Sequence, residues 1–195
     1  TFISVDNNTD GPNALPSITS TITLNGYGNF SNDASLRYFH VSSGGNLTLN
    51  NVYLADAAIT GANGGAIYNA GTANLSNITF EGNSADNGGA IYNTGTLSLY
   101  NSRLAVEVGN TASSNGGGIY NSGTATIDKT AITSNSADGS GGGIYNTGTL
   151  NLLNSTIAYN SGYTGFGLVN AGGTSTLNFT TIYENGGETG ANLEV

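Results

Sequence analysis

Any chemistry in this chain has to come from a small set of side chains. There are 3 basic residues, Arg37, Arg103 and Lys129, 12 acidic ones, a single histidine, His40, and no cysteine. An eliminating polysaccharide lyase needs clustered carboxylates to hold calcium and a basic group to accept the proton, yet the three cations fall in different stretches of the sequence. A glycoside hydrolase needs two carboxyl groups held roughly 5 to 10 Å apart. Glu81, Glu107 and Glu184 each stand alone, and Asp128 adjoins Lys129 as a surface pair. His40 has no Ser, Cys or carboxylate motif around it and reads as a surface or loop side chain, neither base nor ligand. Without cysteine there is no thiol nucleophile and no disulfide. These residues point away from an enzyme.

Two other groups deserve weighing. Asp86 and Asp138 occupy equivalent positions just before glycine runs, where carboxylates and turn carbonyls could hold calcium. Calcium takes about six to eight oxygens, so solvated corner residues are the preferred reading, and no other metal or cofactor is indicated. The glycine runs lack the Gly-Lys-Ser/Thr of a phosphate loop and the Gly-Gly-x-Gly-x-Asp of a calcium-binding repeat. The strongest interaction candidate is the row Tyr68, Tyr92, Tyr120 and Tyr145. Each follows an inward apolar residue and so points outward. Such a row could bind sugar rings, pack against a second rod or stack on itself. Seven Asn-x-Ser/Thr sequons, from Asn7 to Asn178, follow from the Asn- and Thr-rich composition. A Thr-x-Thr pair does not recur at a fixed slot, which argues against an ice-binding face.

The formal charge of -9 argues against nucleic acid and anionic membranes as partners, because both require clustered Lys and Arg. No apolar run approaches the ~20 residues that span a bilayer, so direct membrane insertion is not expected. The sequence begins at Thr1, not Met, and reads as processed or excised. With 31 glycines, the chain needs a regular use for turns.

That use is a repeat. Gly-Gly-Ala-Ile-Tyr-Asn begins at Gly64 and Gly88, Gly-Gly-Ile-Tyr-Asn at Gly117 and Gly142, and a worn copy runs from Gly167 to Asn170. An apolar anchor recurs at Leu24, Leu49, Leu75, Leu99, Ile127, Leu152 and Leu177, at spacings of 24 to 28 residues. A second apolar slot follows at Leu54, Phe80, Leu104, Ile132, Ile157 and Ile182, and a third strand starts at Ile67, Ile91, Ile119, Ile144, Leu168 and Leu193. Alternating apolar positions, β-branched residues and glycine turns predict strands, and no helical periodicity occurs. The expected fold is all-β: a right-handed parallel β-helix of about seven coils of roughly 25 residues, with three short strands per coil. In-register coils lie about 4.8 Å apart, so like stacks on like.

Stacking assigns the polar columns as well. Asn69, Asn93, Asn121, Asn146 and Asn170 form one expected amide ladder, and Asn83, Asn135, Asn160 and Asn185 another. Gly45, Gly71, Gly95, Gly123, Gly148 and Gly172 are expected at positive φ in the same corner. Glu107 stands where the second ladder would place its Asn, and the insertion from Glu107 to Asn115 should protrude. The whole chain, 1–195, reads as one solenoid. Residues 1–40 are an irregular N-terminal strand and first coil, with a short helix or wide loop over Asn32 to Tyr38. Residues 41–192 are regular coils, and 193–195 start an unfinished one. The strand-like Thr1, Phe2, Ile3, Ser4 and Val5 at one end and Leu193, Glu194 and Val195 at the other could pair between molecules head to tail.

The motifs carry a family resemblance. The Gly-Gly-Ala-Ile sequences at Gly64 and Gly88 and the Phe80-Glu-Gly-Asn83 sequence resemble the paired short motifs of the polymorphic outer-membrane adhesins, a family of autotransporter passenger domains. Leu15 to Ile18, Asn25-Gly26 and the stretch from Gly45 to Val52 are similar to right-handed parallel β-helix repeat proteins of bacterial surfaces. The resemblance spans roughly Leu15 to Asn185 and implies a secreted or cell-surface structural or adhesive role. Self-association and surface glycans are the partners to expect. A carbohydrate-binding module using the Tyr row is the alternative, and a polysaccharide lyase or hydrolase a further one.

Overall fold

The computed structural model describes residues 11–31, 35–186 and 192–194. The candidate assembly residues Thr1 to Val5 and Val195 lie outside them, as do Asn32 to Asp33 and Ala34. Every paired strand is parallel, and each pairs with its equivalent one coil away. The architecture is a parallel β-solenoid. No helix is present among the described residues, and Leu36 to Tyr38 join the fold as extended chain, with a bridge from Arg37 to Asn13.

Two faces belong to one twelve-stranded sheet. The first is built from repeats such as Thr96–Tyr100, Thr124–Asp128 and Thr149–Leu153. The second is built from Thr79–Glu81, Arg103–Leu104, Ala131–Thr133 and their equivalents. They are joined because Thr21–Ser31 and Asn46–Ala55 run across the corner without a break. A seven-stranded sheet carries the Ile-Tyr-Asn segments, from Phe39–Val41 through Ile67–Asn69 to Leu193–Glu194. Among the described residues, seven strands on a face enclose about six complete turns, close to the expected seven. A two-residue strand at Ser84–Ala85, Thr111–Ala112 and Ser136–Ala137 adds a small fourth face to the three expected. Two residues are too few to show period-2 alternation in a sequence.

The register puts each expected apolar slot in its column: Leu75, Leu99, Ile127 and Leu152 on the first face, and Ile67, Ile91, Ile119, Ile144 and Leu168 on the third. These side chains are almost fully buried and merge into one core running from Ile18 to Leu168. A coil alone could bury none of them, so each is worth its roughly 1.5 to 3 kcal/mol only in the stack. Phe30 packs edge-on against Tyr38 and Phe39 at 5.7 and 5.5 Å, adding an aromatic contact to the core at its N-terminal end. On the outside, Thr72, Thr96, Thr124, Thr149 and Thr174 share one column. The column two residues on mixes Asn74, Ser98, Thr126, Asn151 and Thr176, so one Thr column is regular but a Thr-x-Thr pair does not recur from coil to coil.

The glycine column has a different cause from the one expected. Of Gly45, Gly71, Gly95, Gly123, Gly148 and Gly172, only Gly172 has positive φ. A Cβ on Gly95 would lie 2.1 Å from the Gly71 carbonyl oxygen, and one on Gly123 2.1 Å from that of Gly95. Backbone meets backbone between coils at this corner, and no side chain fits there. Gly173, not Gly172, is the true member of the column, since the Gly148 carbonyl lies 2.5 Å from its Cβ position and Thr149 pairs Thr174.

The insertion is also shorter than expected. Thr111–Ala112 pairs with Ser84–Ala85 and Ser136–Ala137 and does not protrude. The extra chain is confined to Ala105 to Gly109, where Val106 and Val108 are exposed.

Candidate functional site

The amide ladders exist as hydrogen-bonded chains. In the first, each Nδ2 donates to Oδ1 of the next coil at 2.7 Å, from Asn69 through Asn93, Asn121 and Asn146 to Asn170. Its first member starts it because Val41 occupies the equivalent position one coil earlier, leaving Oδ1 of Asn69 without a protein partner. The second ladder contains a residue that spacing missed. Asn110, not Glu107, stands between Asn83 and Asn135, accepting from Asn83 at 2.8 Å and donating to Asn135 at 2.8 Å. Asn160 and Asn185 continue it at 3.0 and 2.8 Å. Asn192 then closes it by accepting from the Asn185 backbone N–H at 2.8 Å. Each Nδ2 also donates to a main-chain carbonyl of the coil before, as Asn110 does to Phe80 and Asn135 to Leu104. These amides are buried and satisfy backbone that the corner would otherwise orphan.

The four tyrosines form a single half-buried column. Ring centroids lie 5.2, 4.8 and 5.2 Å apart from Tyr68 to Tyr145, and successive planes are tilted by only 18 to 26°. His40 continues the column at 5.0 Å from Tyr68, on the strand Phe39–Val41 and not in a loop, and its Nδ1 lies 2.9 Å from the Ser17 hydroxyl. At the other end Val169 takes the next position. Each ring face within the column is therefore covered by a neighbour. Burial, with the Tyr68 and Tyr120 phenols beside it, pushes the Tyr92 hydroxyl above its usual value of 10.0.

Arg37, Glu81, Lys129 and Asp128 are likewise engaged with neighbouring coils. Arg37 is 2% exposed. Its Nε donates to the Gly64 carbonyl at 2.9 Å, one terminal nitrogen to Oδ1 of Asn13 at 2.7 Å and the other to the Asn63 carbonyl at 2.6 Å. The guanidinium also lies 5.3 Å from the centre of the Tyr68 ring. Burial lowers its pKa from 12.5 to about 10, partly offset by Tyr68.

Glu81 accepts the Tyr53 hydroxyl at 2.6 Å through Oε2, and the Glu107 and Val108 backbone N–H groups, both at 3.0 Å, through Oε1. The Tyr53 hydrogen bond and those two amides hold its carboxyl below 4.5 against the opposing effect of burial. The same bond, with the carboxylate's charge, pushes Tyr53 to about 12. Lys129 does not pair with Asp128. Its Nζ donates to the Tyr100 hydroxyl at 3.0 Å and lies over that ring, while Asp128 Oδ1 accepts from Asn154 Nδ2 at 2.9 Å. The reversal arises because Lys129 sits at φ +52°, in the turn between strands, which swings its side chain to the preceding coil.

Asp86 and Asp138 line a shallow groove on the fourth face, two coils apart with Ser113 between them. Asp86 Oδ1 already accepts the Gly61 N–H at 3.0 Å. Of the expected end-to-end residues, Leu193 and Glu194 pair with Leu168 and Val169 of the same chain.

Comparison with known proteins agrees with this geometry. The family model described as the Chlamydia polymorphic membrane protein repeat matches residues 77–94 and 129–147. The first match contains the Phe80 to Asn83 and Gly88 to Asn93 segments, and the second their equivalents at Ile132 to Asn135 and Gly142 to Asn146. No curated protein and no solved structure matches the chain. The chain thus carries polymorphic-membrane-protein-like repeats on a parallel β-solenoid, and the pair supports a surface, adhesin-like structural role.

Proposed function

We propose that this chain is a non-enzymatic, extracellular β-solenoid that serves as a structural and adhesive rod at a cell surface. One observation carries the reading: the side chains best suited to chemistry are spent on the stack. Arg37, Glu81 and the tyrosine column each bind a neighbouring coil, and none is left facing a second reactive group across a cleft. The match to a surface-protein repeat supports the location.

The role has a finer form, in which rods associate end to end through their outer strands. Its support is the exposure of the outermost described strands, Thr21–Ser31 on one side and Thr174–Asn178 with Thr181–Tyr183 on the other. Unpaired strand edges are templates for another copy, and a head-to-tail contact that does not close makes a filament.

The test has three arms. Bacteria displaying the chain should adhere to cultured epithelial cells or mucin-coated surfaces more than bacteria displaying an unrelated solenoid, and equal adherence overturns the adhesive role. Purified chain incubated with polysaccharides, with and without calcium, should release neither unsaturated products nor reducing ends; release of either makes it an enzyme. For end-to-end association, sedimentation should show mass rising with concentration. A monomer throughout overturns the filament form alone.

A further inference from the structure

Stacking against a sugar needs an aromatic face that nothing else covers, and the tyrosine column has none in its interior. Tyr27 does. Its ring is 97% exposed, and it stands on the segment Gly26-Tyr27-Gly28, where Gly26 has φ +139° and the pairing of Thr21–Ser31 with Asn46–Ala55 shifts register. A bulge of this kind re-aims a side chain away from the sheet. Tyr27 lines a groove of about 390 Å³ that crosses three coils, with Asn29, Asn51, Tyr53, Asn77 and Thr79 along it. That volume falls within the range of about 300 to 1,000 Å³ usual for small-ligand sites.

The polar groups in the groove have a direction. Asn51, Asn77 and Asn101 form a third amide ladder, in which Asn101 donates to Asn77 at 2.6 Å and Asn77 to Asn51 at 3.1 Å. Asn51 is its last member: Oδ1 is occupied, but Nδ2 donates to no described residue. The Asn29 amide makes no side-chain hydrogen bond within the described residues either. No Lys, Arg, Asp or Glu lines the groove. An open aromatic face, free amide donors and acceptors, and no charge together match one chemistry. A neutral sugar offers an apolar C–H face for the ring and hydroxyls for the amides, whereas an anionic or cationic ligand would find no partner.

We infer that the groove walled by Tyr27, Asn29 and Asn51 is a binding site for a neutral saccharide unit of a surface glycan. The site is separate from the tyrosine column. It deepens the adhesive role, and the two can fail apart: glycan binding by the soluble chain tests the groove, and adherence of the displayed chain tests the role.

The probe is an array of neutral and sialylated or sulfated glycans, followed by titration of the purified chain with the strongest neutral oligosaccharide. Retention of neutral glycans is expected, with affinity falling about tenfold or more in Tyr27→Ala, as loss of a stacked aromatic face implies. Asn51→Asp keeps the acceptor for Asn77 but removes the free donor, and should weaken binding comparably. Both positions are on the surface, so unchanged circular dichroism and melting should confirm folding. Tyr120→Ala, in the column, should bind as the parent does. Absence of neutral-glycan binding, preference for charged glycans, or binding that survives Tyr27→Ala but fails in Tyr120→Ala overturns the inference.

Discussion

Asn83 donates from Nδ2 to Oδ1 of Asn110 across 2.8 Å, although these two are 27 residues apart and the following rungs of the ladder are 25 apart. The solenoid absorbs an irregular coil by expelling its surplus at Ala105 to Gly109 and keeping the amide in place. The ladder therefore fixes where an insertion can go.

Replacing Asn110 should accordingly be costly. Asn110→Ala removes the acceptor for both the backbone N–H and the amide of Asn83, and the donor to Phe80 and Asn135. With a buried donor and acceptor left short, the loss should be about 3 kcal/mol. Asn77→Gly, in the exposed third ladder, retains the positive φ and should cost less than about 1 kcal/mol. Urea unfolding of both variants measures the contrast, and equal losses would show that burial of the ladder is irrelevant.

The two kinds of corner glycine give a second contrast. Gly95→Ala would place a methyl 2.1 Å from the Gly71 oxygen and 2.8 Å from the Ala70 carbonyl carbon, both backbone atoms that cannot turn aside. Two coils would have to part, and a loss above about 3 kcal/mol is expected, at the large end for a point substitution. Gly172→Ala meets nothing within 4 Å and is opposed only by φ +79°, which costs roughly 1 to 2 kcal/mol. Thermal melts of the two variants should rank Gly95→Ala far lower.

That difference also marks what the sequence could reveal. Identical residues at a period of about 25 residues name the columns, so Leu99 over Leu75 and Asn121 over Asn93 are legible in the sequence alone. Why a column is conserved within the chain could not be read, because positive φ and close approach both select glycine. Asn110 was hidden because loop length varies more than stacking position. Tyr27 was hidden because it belongs to no column: a bulge, which has no periodic signature, gives it its place. Partners such as Tyr53 and Glu81, 28 residues apart, are adjacent only once the register is known.

The Tyr53–Glu81 pair should respond to pH at both extremes. Glu81 is held below 4.5 in the folded chain, so its contribution is complete above that value and is lost as pH falls through the lower folded one. Tyr53 is raised to about 12, so its contribution is complete below the ordinary 10.0 and is lost as pH rises through about 12. On acidification the Glu107 and Val108 amide resonances should move together, reporting release of the 105–109 loop, while those of the buried ladder stay in place. Glu81→Gln keeps an oxygen for the two N–H groups and should abolish the acidic transition. If the two amides do not shift in wild type on acidification, the carboxylate is not what holds the loop.

Arg37 should tolerate no substitute, lysine included. Its planar fork reaches three acceptors on two separate segments, Asn13 on one side and Asn63 and Gly64 on the other, while lying within 5.3 Å of the Tyr68 ring centre. A lysine ammonium is a point charge on a narrower stem. It could satisfy one of these directions and would leave at least one buried acceptor short, with a more strongly hydrated cation to desolvate. Arg37→Lys should therefore cost about 2 to 3 kcal/mol, and Arg37→Met, which leaves all three acceptors unmatched but buries no charge, about the same. Both should loosen the N-terminal coils first, because Arg37 ties residue 13 to the 63–64 corner. Hydrogen exchange would register this as early loss of protection at Ala14 and Phe39, with Ile119 and Ile144 unaffected. Uniform loss along the rod would mean that the coils unfold as one unit and that Arg37 anchors no separate end.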